Sequence, residues 1–190
     1  MSSHLTRDEL REAGFLRFGD DVRVSRKASF YGAERILLGS HVRIDDFCVL
    51  SAGEGGIEIG DRIHIAVYSS LIGCGRIRIH DFANISSRVS IYSSNDDYSG
   101  ETMTNPMVPQ PYTAVRHADV SIGRHVIIGS GSVVLPGVEI GEGVAIGALS
   151  LVRSSCEPFG IYAGTPARRI GERRRTLLEL ERKLAGEEGT

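Results

Sequence analysis

The sequence predicts an all-β fold, a parallel β-helix whose short strands wind into stacked three-sided coils. Three observations carry this. Aliphatic residues recur every six positions, as at Ile122, Ile128, Val134, Ile140, Ile146 and Val152. Gly, Asn and Asp recur between them, where a chain must turn a corner. Aromatics are few (6%, no Trp) while glycines number 23, which suits a core of small aliphatic side chains and disfavours a helical bundle.

In chain order, residues 1–14 are expected to form a helical cap. "LTRDEL" offers Thr6 and Glu9 as a capping box, Leu5 and Leu10 as its hydrophobic staple, and Gly14 as the stop. The period then occupies 15–170. It runs through Phe18, Val24 and Phe30, then Leu38, Ile44 and Leu50, then Ile59, Ile65 and Leu71, then Ile79, Ile85 and Ile91, before the six residues named above. A six-residue unit is too short for a helical repeat and its residues are β-branched, so each unit reads as a strand plus a corner. Three units close one coil, and coils stack so that the aliphatic ladder becomes a continuous core. A small or aliphatic residue stands four positions after each ladder residue, which places Cys48 and Cys156 in that core.

Between coils the spacing changes to 8 (30 to 38), 9 (50 to 59), 8 (71 to 79), 31 (91 to 122) and 6 (134 to 140), so every insertion leaves from one corner. The largest begins at "YSSNDDYSG" and makes an excursion loop over 92–121. Pro106, Pro109 and Pro111 bar it from ladder pairing, while Tyr98, Met103, Met107 and Tyr112 give it apolar surface to pack, so an ordered arm is expected. Residues 171–190 are expected to be a helix, with Leu177, Leu180 and Leu184 on one stripe packed on the prism or on a neighbour. Before it, Arg168, Arg169, Arg173, Arg174 and Arg175 form a local basic cluster, either solvated surface or a phosphate clamp.

Charge excludes several classes. A net charge of −2 gives no global attraction to nucleic acid or to an anionic membrane. No stretch approaches the roughly 18 apolar residues of a span, and the charged N-terminus lacks an apolar signal core, so the chain reads as cytoplasmic. Three widely spaced cysteines without CxxC spacing indicate neither a disulfide framework nor a zinc knuckle.

The hexads, the protruding loop and the closing string "IIGSGSVVLPGVEIGEGVAIGALSLVRSSCEPFGIYAGTPARRI" together resemble the left-handed β-helix hexapeptide-repeat acetyltransferases, the galactoside, maltose and xenobiotic group, over roughly residues 15–171. The resemblance implies a left-handed coil, a homotrimer with active sites between neighbouring prisms, and acetyl-coenzyme A as co-substrate. It places Ser130 and Ala148 against the pantetheine, and Arg153, Ala163 and Arg168 nearer the nucleotide end. A further family cation falls on Gly171, so Arg169 or Arg173 would have to replace it.

Stacking places the residues just before the second ladder position of each coil in one outward column: Arg23, Arg43, His64, Asn84, Ile127 and Ala145. In the family, the positions matching His64, Asn84 and Ile127 line the acceptor pocket, and Ile127 stands where a Trp is usual. Arg43, Asp45 and Asp46, one coil lower, are either readers of sugar hydroxyls or plain turn residues.

Relatives that acetylate hydroxyls carry a catalytic His where the arm leaves the prism. Here that position is about Ser94, and no His stands there. A hydroxyl needs a base in the transition state, whereas an amine is already partly nucleophilic and needs orientation more. The expected reaction is therefore acetyl transfer to the amine of a nucleotide-linked sugar, and the chain resembles enzymes acting on dTDP-4-amino-4,6-dideoxyhexoses for surface polysaccharide synthesis. His64, Asp96 and Asp97 are the expected catalytic groups, with His117 as a second candidate base; His41, His80 and His125 read as surface. O-acetyl transfer and a non-catalytic β-helix interaction protein are the alternatives. A zinc site of the γ-carbonic-anhydrase kind from His64, His117 and His125 is disfavoured by the spacing of the last two, so no metal is expected.

Overall fold

The computed structural model describes residues 3–188; residues 1, 2, 189 and 190, at the outer ends of the two expected terminal segments, lie outside the described residues. Three parallel sheets form the faces of a prism. The first contains the strands starting at Arg17, Ile36, Ile57, Ile77, Val120 and Glu139. The second contains those starting at Arg23, Arg43, His64, Asn84, Ile127 and Ala145, and the third those starting at Ser29, Val49, Ser70, Ser90, Val133 and Leu151.

The six-residue period becomes the pairing register. Val24, Ile44, Ile65, Ile85, Ile128 and Ile146 lie one above another, linked strand to strand. Ile44, Ile65, Ile85 and Ile128 are fully buried. Each such side chain contributes on the order of 1.5–3 kcal/mol before the entropy of ordering is set against it. Cys48 and Cys156 are buried in the same core, and burial pushes the Cys156 thiol up to about 11, so neither is poised to ionise.

Corners need the left-handed region of backbone space, and side chains sit there. Phe47 (φ 59°), Tyr68 (φ 63°) and Arg88 (φ 59°) follow one corner upward. Phe47 and Tyr68 stack at 5.0 Å, with Lys27 over Phe47 and Arg88 over Tyr68. These contacts offset part of the roughly 1–2 kcal/mol that the conformation costs a residue with a Cβ.

The N-terminal cap forms as the sequence dictates. Helix α1 (Arg7–Glu12) has both halves of the Thr6/Glu9 capping box, Leu10 is buried, and Gly14 takes φ 81° after the last turn. The C-terminal end differs from expectation. Gly160–Gly164 adds an incomplete seventh turn to the second sheet and pairs antiparallel with Ala167–Glu172, so residues 171 and 172 are strand. Helix α2 (Thr176–Glu188) starts after that hairpin. It lies across Phe82 and His125, where Leu177, Leu180 and Leu184 line an apolar recess and Glu181 bonds Arg124 and His125. His125 stacks on Phe82 and its side chain is 10% exposed, so it belongs to this contact and not to the surface.

Every insertion does leave from the third-to-first corner. The arm between Tyr92 and Val120 holds itself by local bonds, including Met103 N–H to Tyr112 O, yet Tyr98, Met103, Met107 and Tyr112 stay exposed on the single chain.

Candidate functional site

The arm's root is held by backbone pairing and side-chain bonds. Ser94 and Asn95 pair antiparallel with His117 and Arg116. Ser93 is fully buried and donates its hydroxyl to Gly75 O at 2.6 Å, while its own carbonyl accepts from Ala118 N–H. Gly73 adopts φ +146° beneath it, and a Cβ there would come within 2.3 Å of Ser93 Oγ and 2.8 Å of Ser94 N. Ser94 Oγ accepts Cys74 N–H at 2.7 Å and lies 2.7 Å from His117 Nδ1. Above this root, the arm and the third sheet enclose a recess of about 430 Å³. Ser94, Asp96, Tyr98 and Val115 form its outer wall, and Tyr92, Val133 and Leu135 its inner one.

Asp96 and Asp97, expected together as catalytic, have different surroundings. Asp97 accepts four hydrogen bonds, from the backbone and hydroxyls of Ser99 and Thr102, and the Ser99 bonds above all hold its carboxyl far below the usual carboxylate range. Its task is to fold the arm's first turn, which makes it a poor proton acceptor. Asp96 faces the recess, and among the described residues no hydrogen bond engages its carboxylate.

The outward column forms in register, with His64 between Arg43 and Asn84 and with Ile127 above Asn84. Asp45 joins it, its Oδ2 lying 2.8 Å from His64 Nε2 and its Oδ1 accepting Arg43 Nε at 2.7 Å. Burial works to raise the Asp45 carboxyl, but these hydrogen bonds outweigh it and leave the group below its ordinary value. Asp46 instead bonds Ser25 and Lys27. The column belongs to the second sheet, whereas the recess lies on the third. One chain therefore assembles Arg43, Asp45, His64, Asn84 and Ile127 in one group and Ser94 and Asp96 in another.

Four of the five expected cofactor residues share an exposed edge at the C-terminal end. Ser130 and Ala148 occupy successive corners, with Ser130 O accepting Leu149 N–H. Ala163 packs beside Gly147, where a Cβ would meet its methyl at 3.0 Å, and is paired with Arg168. The small residues leave a shallow track with an exposed guanidinium at its end. Arg153 follows Val152, directly above Leu135, whose N–H bonds Val152 O, so it caps the recess column. Arg173, one of the two candidates for the missing family cation, has its Nη1 committed to His125 O and Gly143 O. Arg169 is paired with Glu172, and Arg175 lies over Phe159.

His64, His117 and His125 bond Asp45, Ser94 and Glu181 respectively and do not converge. Among the described residues, no three His, Cys, Asp or Glu side chains gather as a metal site.

Sequence reasoning missed Val133 and Leu135, and the Ser94–His117 contact. The first two follow from applying the column rule to the third sheet, where Val133 stacks on Ser90. The contact had a signal too, since both residues sit at the ends of one insertion that returns to the corner it left.

Residues 119–154 match the family model described as bacterial transferase hexapeptide (six repeats). The dTDP-4-amino-4,6-dideoxy-D-glucose acyltransferase of Escherichia coli is 59% identical over 179 residues, covering 94% of this chain and 93% of the relative. AntD, an N-acyltransferase from Bacillus cereus solved with dTDP and 3-hydroxybutyryl-CoA, is 44% identical, with TM-score 0.94 and complete coverage of both chains. A serine variant of AntD, solved with dTDP-4-amino-4,6-dideoxyglucose and coenzyme A, matches with TM-score 0.93 at 44% identity over 98% of this chain and 100% of that one. An aspartate variant, at a position ten residues beyond that serine, was solved with dTDP and coenzyme A and matches at the same TM-score, identity and coverages.

Proposed function

The chain belongs to the hexapeptide-repeat acyltransferases, and we propose that within them it moves an acyl group from acyl-coenzyme A to the amine of a dTDP-linked 4-amino-4,6-dideoxyhexose. The observation that carries the acceptor assignment is the wall of the arm-root recess, which holds an unengaged carboxylate, Asp96, and no imidazole. A carboxylate suits an acceptor that arrives as an ammonium ion: it attracts the charge and takes the proton that must leave before nitrogen can attack. The free amine then adds to the thioester carbonyl, the C–S bond breaks, and coenzyme A departs as the thiol. A hydroxyl acceptor carries no charge for the carboxylate to attract, and its proton must be removed in the transition state. The serine and aspartate varied in AntD stand ten residues apart; between the corner before the Ser90–Tyr92 strand and the start of the arm, Ser86 with Asp96 and Ser87 with Asp97 repeat that spacing. Asp97's four hydrogen bonds favour the first pair.

The small-residue edge of Ser130, Ala148 and Ala163 suits pantetheine, and Arg168 suits the nucleotide phosphates. The enzyme acts as a homotrimer in which the His64 column of one prism faces the recess of its neighbour. Support comes from the separation of the two groups within one chain and from the exposure of Tyr98 (86%) and Met107 (88%), which a neighbour would cover. Among the described residues no helix is long and apolar enough to cross a membrane, and we place the reaction in the cytoplasm, supplying surface polysaccharide synthesis.

The test is thiol release from acetyl- and 3-hydroxybutyryl-coenzyme A with dTDP-4-amino-4,6-dideoxyglucose or a plain glycoside as acceptor. Turnover with the amino sugar is expected. Turnover confined to hydroxyl acceptors would establish O-acylation instead, and absence of both coenzyme A binding and turnover would leave an interaction protein.

A further inference from the structure

The arm-root geometry supplies an imidazole that the recess wall lacks. His117 does not line the recess, but it bonds a residue that does. A serine hydroxyl has one hydrogen to give and two lone pairs to offer. In Ser94, one lone pair is taken by Cys74 N–H, and the hydroxyl lies 2.7 Å from His117 Nδ1, a contact in which Ser94 donates when the neutral ring carries its hydrogen on Nε2. The second lone pair remains for the recess that Ser94 lines. The relay uses that tautomer, with Nδ1 as the acceptor and the ring hydrogen on Nε2. His117 is exposed, so a proton gained at Nδ1 can leave from Nε2 to solvent. The neighbours of both residues are fixed, with Ser93 bonded to Gly75 and Ala118, and Asp119 Oδ1 accepting Arg76 N–H at 2.8 Å.

Two protons must leave an ammonium acceptor before it becomes an amide. Asp96 takes the first. We infer that Ser94 and His117 carry the second: once the C–N bond has formed, the cationic nitrogen passes a proton to Ser94 Oγ while the Ser94 hydroxyl proton moves to His117 Nδ1. The tetrahedral intermediate then collapses to amide and coenzyme A thiolate, which takes a proton from water; the imidazolium returns one to water, and the ring regains its Nε2–H tautomer by exchange with solvent before the next turnover. Ser94 touches the reacting nitrogen; His117 acts through it. The arrangement explains how a site without the family's histidine at position 94 still has an imidazole one bond away. This relay rests on the amine acceptor proposed above.

The experiment compares wild type with Ser94→Ala, His117→Ala and His117→Asn, using acyl-coenzyme A and dTDP-4-amino-4,6-dideoxyglucose. Asn keeps an acceptor for the Ser94 hydroxyl but does not titrate. Ser94→Ala and His117→Ala are expected to lower kcat by about 10–10²-fold, below the usual span for a lost general base because Asp96 remains. KM for both substrates should stay within about twofold. His117→Asn should be as slow as His117→Ala, and added imidazole should restore His117→Ala but not Ser94→Ala. The acidic limb of the kcat–pH profile should change in both His117 variants. Cys74, Arg76, Asp96, Arg116 and Asp119 surround the pair and stay unchanged in all three proteins. Wild-type kcat in His117→Asn would reduce His117 to a structural prop and overturn the relay, as would an unchanged kcat in His117→Ala. Wild-type turnover with only hydroxyl acceptors would overturn the amine reading itself, and the relay with it.

Discussion

Asp96 and Asp97 are one residue apart and do different work, because hydrogen bonds and not residue type decide whether a carboxylate is available. Asp97 spends its lone pairs on Ser99 and Thr102, which stabilise the anion and organise the turn. Asp96 keeps its own for the recess. Asp96→Asn is therefore expected to lower kcat by about 10²–10⁴-fold with an unchanged unfolding midpoint, read by thiol release and thermal denaturation. Asp97→Ala should do the reverse in kind: faster hydrogen exchange at Ser99 and Thr102 amides, with a rise in acceptor KM as the recess wall loosens. In the core the same reasoning gives energies. Ile85 is fully buried between Ile65 and Ile128, so Ile85→Ala is expected to cost about 2–5 kcal/mol by denaturant unfolding.

The arm root and α2 are fixed by different means, and their failures should differ. At the root, backbone fit matters most. A methyl on Gly73 meets Ser93 Oγ and Ser94 N, and Ser93 is held by its bond to Gly75 O, so Gly73→Ala is expected to displace Ser94 and reduce kcat while the coils remain folded, since Gly73 pairs with Ala52 at the strand's end and contributes no side chain to the aliphatic core. Circular dichroism alongside turnover checks this. Helix α2 is held by Glu181, whose carboxyl lies below its ordinary value chiefly through the hydrogen bond with His125, with Arg124 adding to it. A carboxyl depressed in the folded state contributes stability that is complete above the ordinary carboxylate pKa and is lost as pH falls through the lowered value. Docking of α2 should thus persist at neutral pH and weaken in acid, while Glu181→Ala, costing about 1 kcal/mol in this partly exposed setting, should show the weakened state already at neutral pH. Limited proteolysis near α2 reads both. The elements that the sequence left obscure lie here: past Cys156 the period ends, so nothing in the spacing marked the Gly160–Glu172 hairpin that delays α2.

A solenoid is legible because its contacts are nearest-neighbour: a period of six in one dimension fixes the registry of Ile44 on Ile65 on Ile85, and with it the outward column holding Arg43, His64 and Asn84. The same rule, carried to Asp45, leads to a His64–Asp45 bond across adjacent coils. A period cannot say which face of one prism meets which face of another. That is why His64 and Asp96 read together as one site, although one chain holds His64 on the second sheet and Asp96 on the arm over the third. Closed threefold symmetry resolves this if each cleft draws His64 from one chain and Asp96 from the next. The consequence is a quantitative one. His64→Ala and Asp96→Asn homotrimers should each be nearly inactive, because all three clefts lack one group. When the two are unfolded together and refolded at equal amounts, a cleft is intact when its His64 comes from an Asp96→Asn chain and its Asp96 from a His64→Ala chain. Random assembly gives that combination in about one quarter of clefts, so activity should recover to about one quarter of wild type per site. Sites complete within single chains would show no recovery on mixing, since every chain carries one lesion.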